Sequence, residues 1–216
     1  MECALLNRWL GHEVVFKVEA FQKIGAFKIR GALNALLGLK EEGRLPEEVV
    51  AFSSGNHAQA VAYAGKLMEI KTTVVMPKFV SAVKQQATIG YGAELILTDT
   101  RQETEALGAK LAEQGKHLIH PSADDRVIAG QGTACLEALQ DGAKPDAIFA
   151  TCGGGGLLAG SFLAAKLLAP QVQVFGAEPL MANDAARSYR SGKIFAWDSA
   201  PMTIAASRPT QGEPVR

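Results

Sequence analysis

Short runs of β-branched and apolar residues alternate with longer stretches of helical periodicity along almost the whole chain, and this alternation constrains the fold more than anything else in it. Residues 14–18, 49–52, 72–76, 95–97, 117–120, 147–151 and 172–177 read as strands. Residues 27–39, 58–68, 81–89, 103–113, 126–139, 157–168 and about 183–189 read as helices. Strands that are apolar from end to end are buried on both faces, and strands separated by helices run parallel. The class is therefore α/β, with parallel sheets covered by helices on either side. After Gly192 the pattern fades, and residues 207–216, with Pro209, Gly212 and Pro214, read as irregular.

With 216 residues, of which 48% are hydrophobic, the chain has enough core to fold without disulfide or metal staples, and disorder is excluded. Lys and Arg balance Asp and Glu at 22 each, so the basic excess of a nucleic-acid binder is absent. Cys3, Cys135 and Cys152 are odd in number and far apart, which suits a reducing compartment. The first 13 residues have no basic start, apolar run or cleavage site of a signal peptide. Residues 147–165 carry no charge over 19 positions, long enough to span a bilayer, but four consecutive glycines interrupt them. A strand, a turn and a helix fit better, and a soluble cytoplasmic protein is expected.

Three segments carry chemistry. Gly153, Gly154, Gly155 and Gly156 follow an apolar strand and precede a helix, where glycine lets backbone N–H groups approach an anion and the helix dipole favours it. A phosphate site is the reading, and two phosphates compete for it. Gly154-x-Gly156-x-x-Ala159, with Glu178 ending the next strand 22 residues after Gly156, also satisfies a dinucleotide fingerprint, which leaves a nicotinamide oxidoreductase open. Ser53, Ser54, Gly55, Asn56 and His57 follow another apolar strand at a helix start, and together they suit a carboxylate. Lys28 lies between Phe27 and Ile29 at a loop-to-helix junction. Such a lysine either snorkels to solvent or, desolvated, becomes a Schiff-base nucleophile.

With FKIRGALNAL, SSGNHAQAVAYAGKL, VVMP, YGAELIL, HPSADDRVIAGQGT and GGGGLLAG in that order, the sequence resembles the threonine/serine dehydratase and serine racemase family. These are pyridoxal-phosphate (PLP) enzymes of the tryptophan-synthase-β fold, fold type II. The resemblance spans about residues 5–205. It implies two αβα domains: a large PLP-binding one from residues 1–47 and 124–216, incomplete at its end, and a small one from residues 48–123, with PLP in the cleft between.

The resemblance also assigns roles. Lys28 matches the lysine that carries PLP and then serves as base, Phe27 packs beside the pyridine ring, and Asn56 binds its 3′-oxygen. Gly153, Gly154, Gly155, Gly156 and Leu157 form the phosphate cradle. Ser53, Ser54, Asn56 and His57 receive the substrate carboxylate. Ser54 stands where the racemases have serine and many dehydratases alanine, so serine racemisation is implied beside ammonia loss from L-serine or L-threonine. Glu178, the carbonyl of Ala182 and Asp184 have the spacing of the family's Mg²⁺ or Ca²⁺ site. A homodimer is implied.

The departures are equally specific. Ala26 replaces the usual Ser or Thr, and Ala206-Ser207 replaces Asp-Gly. The later segment whose Ser or Cys meets the pyridine nitrogen has no counterpart, and the N-terminal arm is largely absent. The chain therefore reads as truncated at both ends, with an inactive family member as the alternative.

Overall fold

A computed structural model describes residues 1–197 and residue 203. The helices are α1 (Ala4–Leu10), α2 (Lys28–Glu41), α3 (Asn56–Leu67), α4 (Ala82–Gly90), α5 (Arg101–Glu113), α6 (Asp125–Gln140), α7 (Gly156–Leu168) and α8 (Asp184–Ser191). The strands are β1 (Glu48–Phe52), β2 (Lys71–Pro77), β3 (Glu94–Thr98), β4 (His117–Leu118), β5 (Ala147–Thr151) and β6 (Gln173–Ala177). The first four form one parallel sheet in the order β3-β2-β1-β4, and β5 pairs with β6, also parallel.

The four-stranded sheet is covered as its apolar strands require. Val49 and Ala51 of β1 point into a core with Ile29, Ala32, Ala35, Leu36 and Leu39 of α2 and Ala60, Val61 and Ala64 of α3. On the opposite face α5 presses Gly108 against the ring of Phe52. The two-stranded sheet departs from the expected double cover: Phe149 is 73% exposed and stacks on Phe175 of β6 at 5.1 Å.

A second departure concerns residues 14–18, which form no strand. Val15 makes one isolated bridge to Glu2, and the Phe16 N–H reaches only the carbonyl of Met1. The β-branched run has no sheet edge beside it, so propensity alone does not make a strand. Helix α1 went unforeseen. Its residues bury nothing and no side chain caps it, so neither signal of a helix start was present to read.

What sets the spacing of the site is helix α6. Gly130 and Gly132, two residues apart, point to opposite sides of the helix. On one side a β-carbon at Gly130 would stand 2.6 Å from the carbonyl oxygen of Arg30 in α2, and on the other a β-carbon at Gly132 would stand 2.5 Å from that of Gly160 in α7. Backbones therefore touch across both crossings, and α6 holds the helix bearing Lys28 a fixed distance from the helix behind the glycines. Gly132→Ala is expected to force α6 and α7 apart, at a cost of about 2–3 kcal/mol. A thermal melt checks this; an unchanged midpoint would contradict the close crossing.

Candidate active site

Two of the three sequence segments, the serine–asparagine turn and the glycines, lie at the carboxyl ends of parallel strands, where open α/β sheets collect ligands, while Lys28 opens α2 after a short helical turn. β1 runs into the Ser53–Asn56 turn and α3, β5 into the glycines and α7, and β4 into residues 119–122. In the first turn the Gly55 N–H donates to Ser53 Oγ at 3.1 Å, and the Ser53 N–H donates to the Val75 carbonyl at 3.1 Å. Gly55 at the N-cap of α3 has no side chain to cap it, which suits the opening N–H groups to an anion. Ser54 is half-buried and Asn56 exposed on this turn.

Gly155 caps α7 in the left-handed region, φ 82°, a conformation that favours glycine and one that brings no capping side chain of its own. Gly156 is buried, and Leu157 follows it half-buried in the first turn. Phe27 immediately precedes α2, and its ring centroid lies 5.3 Å from Lys28 Nζ.

Residues 119–122 tie these parts together. The Lys28 Nζ donates to the Pro121 carbonyl at 2.7 Å. The Ile119 carbonyl meets His57 Nε2 at 2.8 Å. A β-carbon on Gly156 would stand 3.4 Å from the Cα of Ser122. The turn is itself pinned: His120 Nδ1 accepts the N–H groups of Ser122 at 3.2 Å and Ala123 at 2.8 Å, while the Ile119 N–H donates to Val50 in β1. One short segment thus touches the lysine, the serine–asparagine turn and the glycine turn.

His57 is 3% exposed. A carbonyl only accepts, so Nε2 carries the proton, and Nδ1, a buried acceptor, meets no donor among the described residues. Burial first, and then the nearby positive charge of Lys28, pushes its pKa down to about 3. Because the folded value lies below the unfolded one, this neutral histidine contributes its full stability above about pH 6.5 and loses it as pH falls toward 3, by up to ~1.4 kcal/mol per pH unit. His117, lowered by the same cause, adds to the slope. His57→Gln is therefore expected to flatten, and not abolish, the fall in denaturation midpoint between about pH 6.5 and 5; an unaltered slope would contradict a neutral buried His57.

The divalent-cation site expected at Glu178, Ala182 and Asp184 is not supported. Glu178 accepts the N–H groups of Ala185 at 3.1 Å and Ala186 at 2.8 Å, so both carboxylate oxygens are spent on the start of α8. Ala182 and Asp184 are buried, and the Asp184 carboxyl is raised, first by burial. Among the described residues no group of three His, Cys, Asp or Glu side chains is placed to hold a metal. The same capping role leaves Glu178 poorly suited to a ribose. The departure at Ala206-Ser207 lies outside the described residues.

Two contributors were missed in the sequence. Pro121 acts through a carbonyl, which has no side-chain signature. Lys84, read only as part of a helix, brings its Nζ to 3.6 Å from where a β-carbon on Gly55 would stand, so a cation overlooks the serine–asparagine turn.

Lys28 and the openings of α3 and α7 thus lie around residues 119–122. The chain belongs to the pyridoxal-phosphate-dependent enzyme family, whose model matches residues 1–215. It is 47% identical to the L-threo-3-hydroxyaspartate ammonia-lyase of Saccharomyces cerevisiae over 96% of this chain and 64% of that protein. It is 44% identical to the serine racemase of Schizosaccharomyces pombe, over 95% and 64%. Among solved structures it resembles the T.th. threonine deaminase, with a TM-score of 0.86 and 43% identity over 94% of this chain and 66% of that one. The chain spans about 64% of the length of the curated relatives it matches. With the family, the fold-type II expectation stands and the dinucleotide reading of Gly154, Gly156 and Ala159 falls. Among the described residues no helix is long and apolar enough to cross a membrane.

Proposed function

We propose that the chain carries the site of a PLP-dependent ammonia-lyase that converts L-serine or L-threonine to a 2-oxo acid and ammonia, and that the same site racemises serine. The observation that carries this reading is the convergence of Lys28, the serine–asparagine turn and the glycine turn on residues 119–122.

The residues present fit the cofactor. The uncapped α7 start behind Gly153, Gly154, Gly155, Gly156 and Leu157 suits a phosphate dianion held by backbone N–H groups. Phe27 offers a ring face and Asn56 an amide. When bound, PLP supplies an electron sink that weakens the Cα–H bond of an attached amino acid.

The remaining work falls to the chain. Ser53, Ser54, Asn56 and the backbone of His57 receive the substrate carboxylate at the α3 start, with Lys84 adding charge. Lys28 Nζ, when not bonded to cofactor, has the Pro121 carbonyl as a resting acceptor, which keeps the amine beside the reacting centre as general base. Ser54 serves on the opposite face, returning a proton to give the other enantiomer. Residues 48–123 form the small domain and residues 1–47 with 124–216 the large one, the site lying between. The active form is a homodimer, and the three free thiols suit the cytoplasm.

The test is release of pyruvate from L-serine, 2-oxobutyrate from L-threonine, and formation of D-serine, by protein saturated with PLP. Keto acid from either substrate is the expected result. Protein that carries PLP on Lys28 yet forms neither keto acid nor D-serine would overturn the lyase and racemase reading and favour the inactive alternative.

A further inference from the structure

We infer that His57 is a positioning residue for Lys28: by donating from Nε2 to the Ile119 carbonyl it fixes residues 119–122, and through the Pro121 carbonyl it fixes where the lysine amine rests. The inference rests on the proposed role of Lys28 but is read without turnover or cofactor.

The argument is geometric. Residues 119–121 present two carbonyls to two donors, Ile119 to His57 Nε2 at 2.8 Å and Pro121 to Lys28 Nζ at 2.7 Å, with a single residue between them. His57 is the second residue of α3, so its ring is carried by a helix that packs into the central core through Ala60, Val61 and Ala64. The donor is thus rigid, whereas residues 119–122 follow a strand of only two residues and are otherwise held by the Ile119 N–H on Val50 and by His120 within the turn itself, so the bond from α3 is their tie to the central core's helices. The choice of histidine follows. The bond needs a donor that stays uncharged beside the lysine ammonium, because a second cation buried there would repel the first. Neutral imidazole donates from one nitrogen and leaves the other as a lone pair, and Nδ1 is left so, buried with no donor among the described residues. A buried polar atom left unpaired is costly, so packing alone would favour a ring without nitrogen here. Its retention is explained by the bond made on the other side of the ring.

The test is the rate at which Lys28 is acylated by acetic anhydride in the protein without added PLP, read by peptide mass spectrometry. Lys66, exposed on the same helix α3, is the internal control. In His57→Phe, which keeps a ring and loses the donor, Lys28 acylation is expected to rise about fivefold or more with Lys66 unchanged, as loss of roughly one hydrogen bond's worth of restraint implies. His57→Gln, which keeps an N–H donor, is expected to stay within about twofold of the parent. Lys28 labelled at the parental rate in a folded His57→Phe would overturn the inference, and so would Gln behaving like Phe. A merely structural role would raise every lysine alike. Should His57→Phe fail to fold, His57→Met against His57→Gln makes the same comparison. Failure of the proposed function would appear elsewhere, as parent protein that does not take PLP on Lys28.

Discussion

Arg30→Met is expected to destabilise the protein by about 2–4 kcal/mol, because it strips the partner from the Glu19 carboxylate, which is held largely away from water, and from the more open Glu137. All five N–H donors of Arg30 are used. Nε and Nη2 grip Glu19 at 2.6 and 2.9 Å, Nη1 and Nη2 grip Glu137 at 2.7 and 2.8 Å, and Nη1 also reaches Thr133 Oγ1 at 3.0 Å. The Arg30 side chain is 9% exposed and that of Glu19 16%, so the pair sits where screening by solvent is weak. Glu137 is more open and keeps Lys17 at 2.8 Å, so most of the loss arises at Glu19. A drop in melting temperature of about 10 °C is the expected reading for a chain of this size. Arg30→Lys should recover only part of it, since one ammonium cannot present two forks.

The bonds to Arg30 and Lys17 hold the Glu137 carboxyl down at about 2. Its folded value lies below the unfolded one, so its contribution is present above about pH 4.5 and lost as pH falls toward 2; in Arg30→Met that acid limb should shrink. Arg30 lies two residues after Lys28 on α2, and its fork ties that turn to α6 and to the short turn Glu19–Phe21. A melt shifted by less than about 2 °C would show that the fork holds little.

On the proposed function, Lys28→Ala is expected to lower keto-acid formation by a factor of about 10³ or more, because that reading makes one side chain both the point of cofactor attachment and the general base. The melt should move by only a few degrees, since the residue is half-buried at the first position of α2 and the core begins at Ile29. A small primary amine such as methylamine, added to the assay, should restore part of the rate by substituting for the missing base. Activity within about tenfold of the parent would remove Lys28 from the mechanism.

How much of this was legible in the sequence differs by element. The apolar runs of β1 and β2 announce themselves, because the signal is in the side chains that the sheet and its helices bury, and the glycine turn ahead of α7 does so by its missing side chains. The run at residues 14–18 has the same composition and forms no strand, since a strand is made by its neighbours and the backbone partners of this run among the described residues are Met1 and Glu2, not a sheet edge. Phe149, apolar in an apolar strand, reads as buried and is exposed, because cover on a sheet face depends on elements the strand's own sequence does not specify.

The site divides along the same line. Ser53, Ser54, Asn56 and the four glycines stand out in their own segments, by a side chain or its absence, whereas Lys28 was singled out by the family resemblance. Their meeting at residues 119–122 does not, because the joints are the carbonyls of Ile119 and Pro121. The double fork of Arg30 was not legible, since Glu19 and Glu137 are 118 positions apart in sequence. Glu178 shows the converse hazard: its spacing from Asp184 suits a cation, while its oxygens are occupied by the start of α8.

On the proposed function, Lys28 is the residue that takes pyridoxal phosphate. The most direct measurement is borohydride reduction of the chain equilibrated with PLP, followed by peptide mapping of the phosphopyridoxyl group. The account requires the label on Lys28 alone, with a visible absorbance that reduction removes. Label scattered over exposed lysines such as Lys66 and Lys84, or absent from Lys28, would contradict it.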